Sequence, residues 1–188
     1  MSSIAPKKLK EKHFKIKDKV SGYDKDLVLK TFQLPNGMTE NFFIDKGKDS
    51  VQIFALTKDQ QVICVRQFRA GQEQIQTELP GGGLESGEDP KKAAERELAE
   101  ETGFTTRSEF VCLGKIPYSP YGTGHKNMFL ATECEKTTEL SLDPNEFLEV
   151  VEIPLEKFRK LMQTGQVRGF DTAYLALDKM GRLEETSL

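Results

Sequence analysis

Cys64, Cys112, Cys134, His13 and His125 are the only cysteines and histidines in this chain of 188 residues. The cysteines are odd in number, far apart and never spaced as CxxC, so no disulfide framework is expected. They read as free thiols in a reducing cytoplasm. Two histidines are too few to build a histidine-based zinc site with them. No apolar run approaches the ~18 residues that a membrane helix needs, and no membrane partner is expected. The basic N-terminus, MSSIAPKKLKEKHFKIKDK, has no apolar stretch behind it and does not read as a secretory signal. An excess of one charge is missing too. The net charge of −3 carries no electrostatic footprint for nucleic acid.

With 37% hydrophobic and 30% charged residues, the chain reads as globular, one domain or one domain with a small appendage. Two strands, LVLKTFQL and MTENFFID, flank Pro35-Asn36-Gly37, and an Asn-Gly pair between alternating apolar runs is a hairpin signal. VQIFALT and QVICVRQF read as a second, more buried hairpin, and a short strand, IQTELP, follows. EFVCLGKIPYS, NMFLATECE and FLEVVEIP show strand character. LEKFRKLMQTG and FDTAYLALDKMG read as amphipathic helices. Strands with helices inserted late, rather than regular alternation, predict a mixed α/β (α+β) sandwich.

The densest information lies in residues 80 to 104, PGGGLESGEDPKKAAERELAEETGF. Asp89 and Pro90 suit a helix start. Lys91 to Thr102 is rich in good helix formers, and Gly103 suits the left-handed residue that closes a helix. On such a helix Glu97 and Glu101 are i and i+4, about 6 Å apart along the axis, and Glu100 joins the edge of the same cluster. Like charges at this spacing destabilise a helix. A hard divalent cation removes that cost, and Mg²⁺ typically uses one or two carboxylates with substrate phosphates. Arg96, four residues before Glu100, is placed to hold that carboxylate. The glycine-rich loop before the helix lets backbone approach a ligand closely. A solvated acidic helix face would need neither the loop nor the arginine in register.

Gly82, Glu88, Arg96, Glu97, Glu100, Glu101 and Gly103, with apolar Leu98 and Phe104, form the pattern G-x5-E-x7-R-E-[apolar]-x-E-E-x-G-[apolar]. It resembles the Nudix box of the Nudix hydrolases without a gap, although that family usually closes the box with an aliphatic residue where Phe104 stands. The resemblance implies the Nudix fold, a mixed sheet between helices, over residues 49–188. Residues 1–48 would form an added antiparallel β element. Gly82, Glu88, Arg96 and Gly103 would be structural in the motif. Glu97, Glu100, Glu101 and the Gly81 carbonyl would hold two or more Mg²⁺ ions, with Mn²⁺ as an alternative.

The flanks narrow the subgroup. Arg66-Gln67-Phe68-Arg69 and Glu78-Leu79-Pro80-Gly81-Gly82 resemble the region before the box in ADP-ribose and other nucleoside-diphosphate-sugar pyrophosphatases, with Gly81 in place of the usual alanine. Pro120, sixteen residues beyond Phe104, resembles a downstream proline of ADP-ribose hydrolases. The resemblance therefore implies a small-molecule nucleotide sugar, such as ADP-ribose or GDP-mannose, split to a nucleoside monophosphate and a sugar phosphate. Arg69, Arg66, Glu78, Pro120 and Tyr121 would line the substrate. Glu78 is open between a ligand for an additional metal and a sheet-edge filler, and the others have plainer readings: Arg69 covering a strand edge, Pro120 making a turn, Tyr121 packing. The general base would come from a loop beyond the box. The stretch Asp143-Pro144-Asn145-Glu146 falls there, which makes Glu146 the first choice and Glu149 the second, with Glu100 as a further catalytic carboxylate.

Alternatives are a Nudix activity on nucleoside triphosphates or RNA 5′ ends, or a non-catalytic nucleotide-sugar sensor. The intact carboxylate set argues against a sensor. The hairpin from Leu27 to Ile44 carries more apolar surface than two strands bury on one another. It must pack on the hydrolase core or on a second subunit. The resemblance favours a two-fold homodimer through this element.

Overall fold

The structure, a computed structural model, describes residues 5–17, 24–142 and 146–183. The chain forms two compact units, residues 1–49 with 116–125 and residues 50–115 with 126–188.

The first unit is an antiparallel sheet of β1 (Lys7–Lys17), β2 (Asp24–Gln33) and β3 (Thr39–Asp45), with β2 in the middle. The Pro35-Asn36-Gly37 turn joins β2 and β3, with Gly37 at φ 86°. β1 lies outside the two-strand hairpin expected from sequence. Its apolar residues are too few to alternate among lysines, yet it pairs with β2 from Lys7↔Gln33 to Lys17↔Asp24. Lysines suit a sheet edge, where charge discourages further pairing. Residues 116–125, expected from sequence in the second domain, are built into this unit instead. Backbone hydrogen bonds decide it: Asp45 N–H donates to the Tyr121 carbonyl and Thr123 N–H to the Asp45 carbonyl, at 2.8 and 2.9 Å. Tyr121 also stacks on Phe42, ring centroids 6.4 Å apart.

The second unit is built on a mixed sheet. Its strands are β4 (Ser50–Thr57), β5 (Gln61–Arg69), β6 (Gln74–Glu78), β7 (Phe104–Thr105), β8 (Val111–Pro117), β9 (His125–Lys136), β10 (Leu148–Pro154) and β11 (Val167–Arg168). The order β11-β6-β5-β4-β9-β7 carries parallel pairs at β11/β6 and β4/β9, while β10 pairs with β5 and β8 with β9. Helix α1 (Pro90–Thr102) covers one face, and α2 (Leu155–Gln163) and α3 (Phe170–Lys179) cover the other. Strand parity explains the two cores. Val51, Ile53, Ala55 and Ile63 pack with Ala93, Ala94 and Leu98 of α1. Phe54, Leu56, Val62 and Cys64 pack with Phe158, Ala173 and Leu177. Cys64 and Cys134 are buried and unpaired, and burial pushes the Cys134 thiol up to about 12. Among the described residues no helix is long and apolar enough to cross a membrane.

Candidate active site

The site begins where β5 loses its neighbour. One edge of β5 pairs with β10 from Gln61 to Gln67, whereas the other meets β4 only at Val62 and Ile63 and β6 from Val65 onward. The glycine segment after β6 then pairs with the start of β4. Ile53 N–H donates to the Pro80 carbonyl and Val51 N–H to the Gly82 carbonyl, both at 2.9 Å. Gly81 between them has φ 155°, and a Cβ there would stand 2.2 Å from the Val51 carbonyl oxygen.

Helix α1 carries the charged residues past this segment. Asp89 caps it, accepting from the N–H groups of Lys91 and Lys92, and Gly103 closes it at φ 72°. A Cβ on Gly103 would meet the Thr138 carbonyl at 2.4 Å. Alanines and Leu98 hold one side of the helix to the sheet, which fixes the orientation of its carboxylates. Glu101 is buried, and its Oε2 accepts the Gly81 N–H at 2.8 Å. Glu97 lies against Gly82, where a Cβ would come within 2.4 Å of its carboxyl carbon. Arg96 gathers the rest. Its guanidinium donates to both Glu88 oxygens, to Glu97 and to Glu100, each at 2.9 Å, and to the Gly83 carbonyl at 3.2 Å.

The electrostatics divide these carboxylates. The Arg96 hydrogen bonds hold the Glu88 carboxyl down to about 2. Burial pushes Glu97 up, against the pull of Arg96. Burial pushes Glu101 to about 8, with the charges of Glu97 and Glu146 adding and the Gly81 N–H and Arg69 opposing. Among the described residues no three acidic, histidine or cysteine side chains converge as a formed metal cage. The donor set nevertheless fits a hard cation. A buried carboxylate with one N–H donor, facing two more negative groups, is stabilised by divalent charge and supplies the oxygen ligands such ions take.

The glycines separate two effects of one methyl group. Gly82→Ala should fold with a Tm within a few degrees of wild type, because the obstructed atoms are the end of a side chain. Its turnover should fall on the order of 10²-fold as Glu97 is displaced. Gly81→Ala meets backbone and a strained φ, and should cost about 3 kcal/mol or more in a denaturation curve.

Other expected site residues divide by strand parity. Arg69 donates through Nε and Nη2 to both oxygens of buried Glu78, each at 2.7 Å. This pair lies on the α1 face, and the Arg69 charge reaches Glu101. Arg66 is three residues earlier and so on the opposite face, where it pairs with Glu149 at 3.2 Å. Neither Arg66, expected at the substrate, nor Glu149, the second choice of general base, shares a face with the carboxylates. Glu146 precedes β10, and its charge acts on Glu97 and Glu101. Asp143, Pro144 and Asn145 lie outside the described residues. Pro120 and Tyr121 are exposed residues of the first unit. A cavity of about 500 Å³ lined by Gln60, Gln61, Leu155 and Arg159 opens at the other end of the β4–β5 hairpin and contains no motif residue.

The NUDIX domain model matches residues 47–172. The chain belongs to the Nudix family. It is a Nudix hydrolase with the Nudix fold, and Nudix hydrolases use a divalent metal. An ADP-ribose pyrophosphatase of Bacillus subtilis (strain 168) is 38% identical over 173 residues, covering 89% of this chain and 91% of the relative. A methanol dehydrogenase activator of Bacillus methanolicus is 30% identical over 152 residues, covering 80% and 82%. Among solved structures, an ADP compounds hydrolase superposes with a TM-score of 0.76 over 97% of this chain and 100% of that one. At 21% identity this last likeness speaks for the fold alone.

Proposed function

We propose that this Nudix hydrolase splits the pyrophosphate of nucleoside diphosphate sugars, ADP-ribose or GDP-mannose or similar, to a nucleoside monophosphate and a sugar phosphate. The observation that carries the reading is the 38% identity to an ADP-ribose pyrophosphatase, which extends over 89% of the chain and so beyond the hydrolase domain. Glu97, Glu100, Glu101 and the Gly81 carbonyl would hold two or more Mg²⁺ or Mn²⁺ ions. The metal, when bound, neutralises the pyrophosphate charge and lowers the pKa of a water. Arg96 fixes Glu97 and Glu100, and the Gly81 N–H fixes Glu101. Arg69, held in a fork by Glu78, carries a planar guanidinium of the kind that suits phosphate oxygens. Glu146 takes the proton of the water whose oxygen attacks phosphorus as the bridging P–O bond breaks. A panel of ADP-ribose, GDP-mannose, nucleoside triphosphates and 5′-triphosphate RNA, with and without Mg²⁺, tests this. Metal-dependent monophosphate release from the nucleotide sugars is expected. Faster turnover of triphosphates or RNA, or none at all, would remove the reading.

The enzyme works as a homodimer through its N-terminal sheet in this proposal. On one face of that sheet Phe14 and Phe43 lie 6.3 Å apart, and register sets Phe43 opposite Leu29. Phe43 is 62% exposed and Leu9 48%, apolar surface that a second subunit would cover. Light scattering at micromolar concentration should give twice the chain mass, and Phe43→Glu should shift it toward the monomer. A monomeric wild type would rule the dimer out.

A further inference from the structure

β11 is only two residues long, and no motif includes it. It pairs in parallel with β6, setting Val167 opposite Thr77 and Arg168 opposite Glu78. Opposite residues share a sheet face, so Arg168 stands on the face of the Arg69–Glu78 pair. Its Nη1 donates to the Gln76 Oε1 at 3.2 Å, two residues along β6 from Glu78. That step along a strand is about 7 Å. Gln67 and Gln74 have the same parity, since register pairs Gln67 with Gln76 and Arg69 with Gln74. Three amides and two guanidiniums thus extend the α1 face of the sheet away from the carboxylates. Arg168 and Gln74 are exposed, while Gln67 and Gln76 are half-buried.

This row has no aromatic or aliphatic member. A nucleobase binds chiefly by stacking and gains little here. Hydroxyl oxygens suit it well, because amides both donate and accept and a guanidinium offers a fork of donors. We infer that Arg168 and Gln76 form a subsite for the sugar hydroxyls of the half of the substrate that carries no base. The inference rests on the nucleotide-sugar reading given above. Arg168 is then a substrate-binding residue that sets preference for the sugar, about one strand step beyond the Arg69–Glu78 anchor.

The test compares ADP-ribose with the P²-methyl ester of ADP, which keeps the nucleoside and pyrophosphate but has no second sugar. Arg168→Ala should raise the KM for ADP-ribose on the order of tenfold, as expected for losing a charged hydrogen bond. The ratio of kcat/KM for ADP-ribose over the methyl ester should fall at least several-fold. Arg168→Lys should recover part of it, since the charge returns without the fork. An unchanged ratio in an active Arg168→Ala enzyme would overturn the subsite, whether both substrates weaken equally or neither does. A lowered Tm with an unchanged ratio would make Arg168 merely a brace for β11. A wild type inactive on ADP-ribose and on other nucleotide sugars would fail the underlying reading as well, and so is distinguishable from failure of the subsite alone.

Discussion

Glu101→Gln is expected to lower kcat by about 10²–10⁴-fold while KM changes little, the signature of a group whose charge matters most as phosphorus is attacked. The shape of the site survives the change, because the amide oxygen of Gln can still accept the Gly81 N–H that Glu101 accepts at 2.8 Å. Only the charge is lost. Glu95 lies two residues before Glu97 and forms an ion pair with Lys92 at the helix surface, so Glu95→Gln is the matched control and should stay near wild type. Equal losses in the two variants would show that the spacing of the box does not define the catalytic charge. Stability should move in the opposite sense. Without metal, burial pushes the folded Glu101 carboxyl up to about 8 against an ordinary value of 4.5. Between those values the folded chain holds a proton that the unfolded chain has released. The contribution of Glu101 to wild-type stability therefore falls as pH rises from about 4.5 to about 8, by on the order of a few kcal/mol. Glu101→Gln should lose that slope and exceed wild type in Tm at pH 8.5 but not at pH 4.5. A parallel pair of pH–Tm curves would mean that Glu101 is not the group responsible.

The helix of the box was legible because each of its signals is local. Asp89, Pro90 and Gly103 are capping chemistry that acts within one turn, and the i and i+4 spacing of Glu97 and Glu101 follows from helix geometry alone. Glu101 burial was not legible, because it depends on Val51 and Ile53 bringing the Gly81 segment across the helix. In the strands the needed information was present but subordinated to the family resemblance. Arg66 and Arg69 differ by three positions, and an odd separation within a strand reverses the face. Parity alone would have separated Arg69 from Arg66. It could not have joined residues 116–125 to the first sheet, since backbone groups of Asp45, Tyr121 and Thr123 carry much of that pairing and residue type says little about them. β1 was hidden by its lysines, and β11 by its length. Two residues show no period, and parallel pairing with β6 is a long-range contact that becomes visible only once the sheet is assembled.

Glu146→Gln is the second large effect expected. A base for the attacking water must act on the carboxylates of α1, and Glu146 meets this where Glu149 does not. Its charge acts on both Glu97 and Glu101, whereas Glu149 is turned to Arg66 on the other side of β5. Removing a general base typically costs about 10²–10⁴-fold, which here should appear in kcat with KM within a few-fold. Glu149→Gln breaks only an exposed ion pair, worth about 0–1 kcal/mol, and should leave turnover within a few-fold. The two variants differ by three positions and the same chemical change, so their contrast isolates the face. Turnover within a few-fold of wild type in Glu146→Gln would dismiss it as the base. A large loss in Glu149→Gln would return the role to the residue that the sheet turns away.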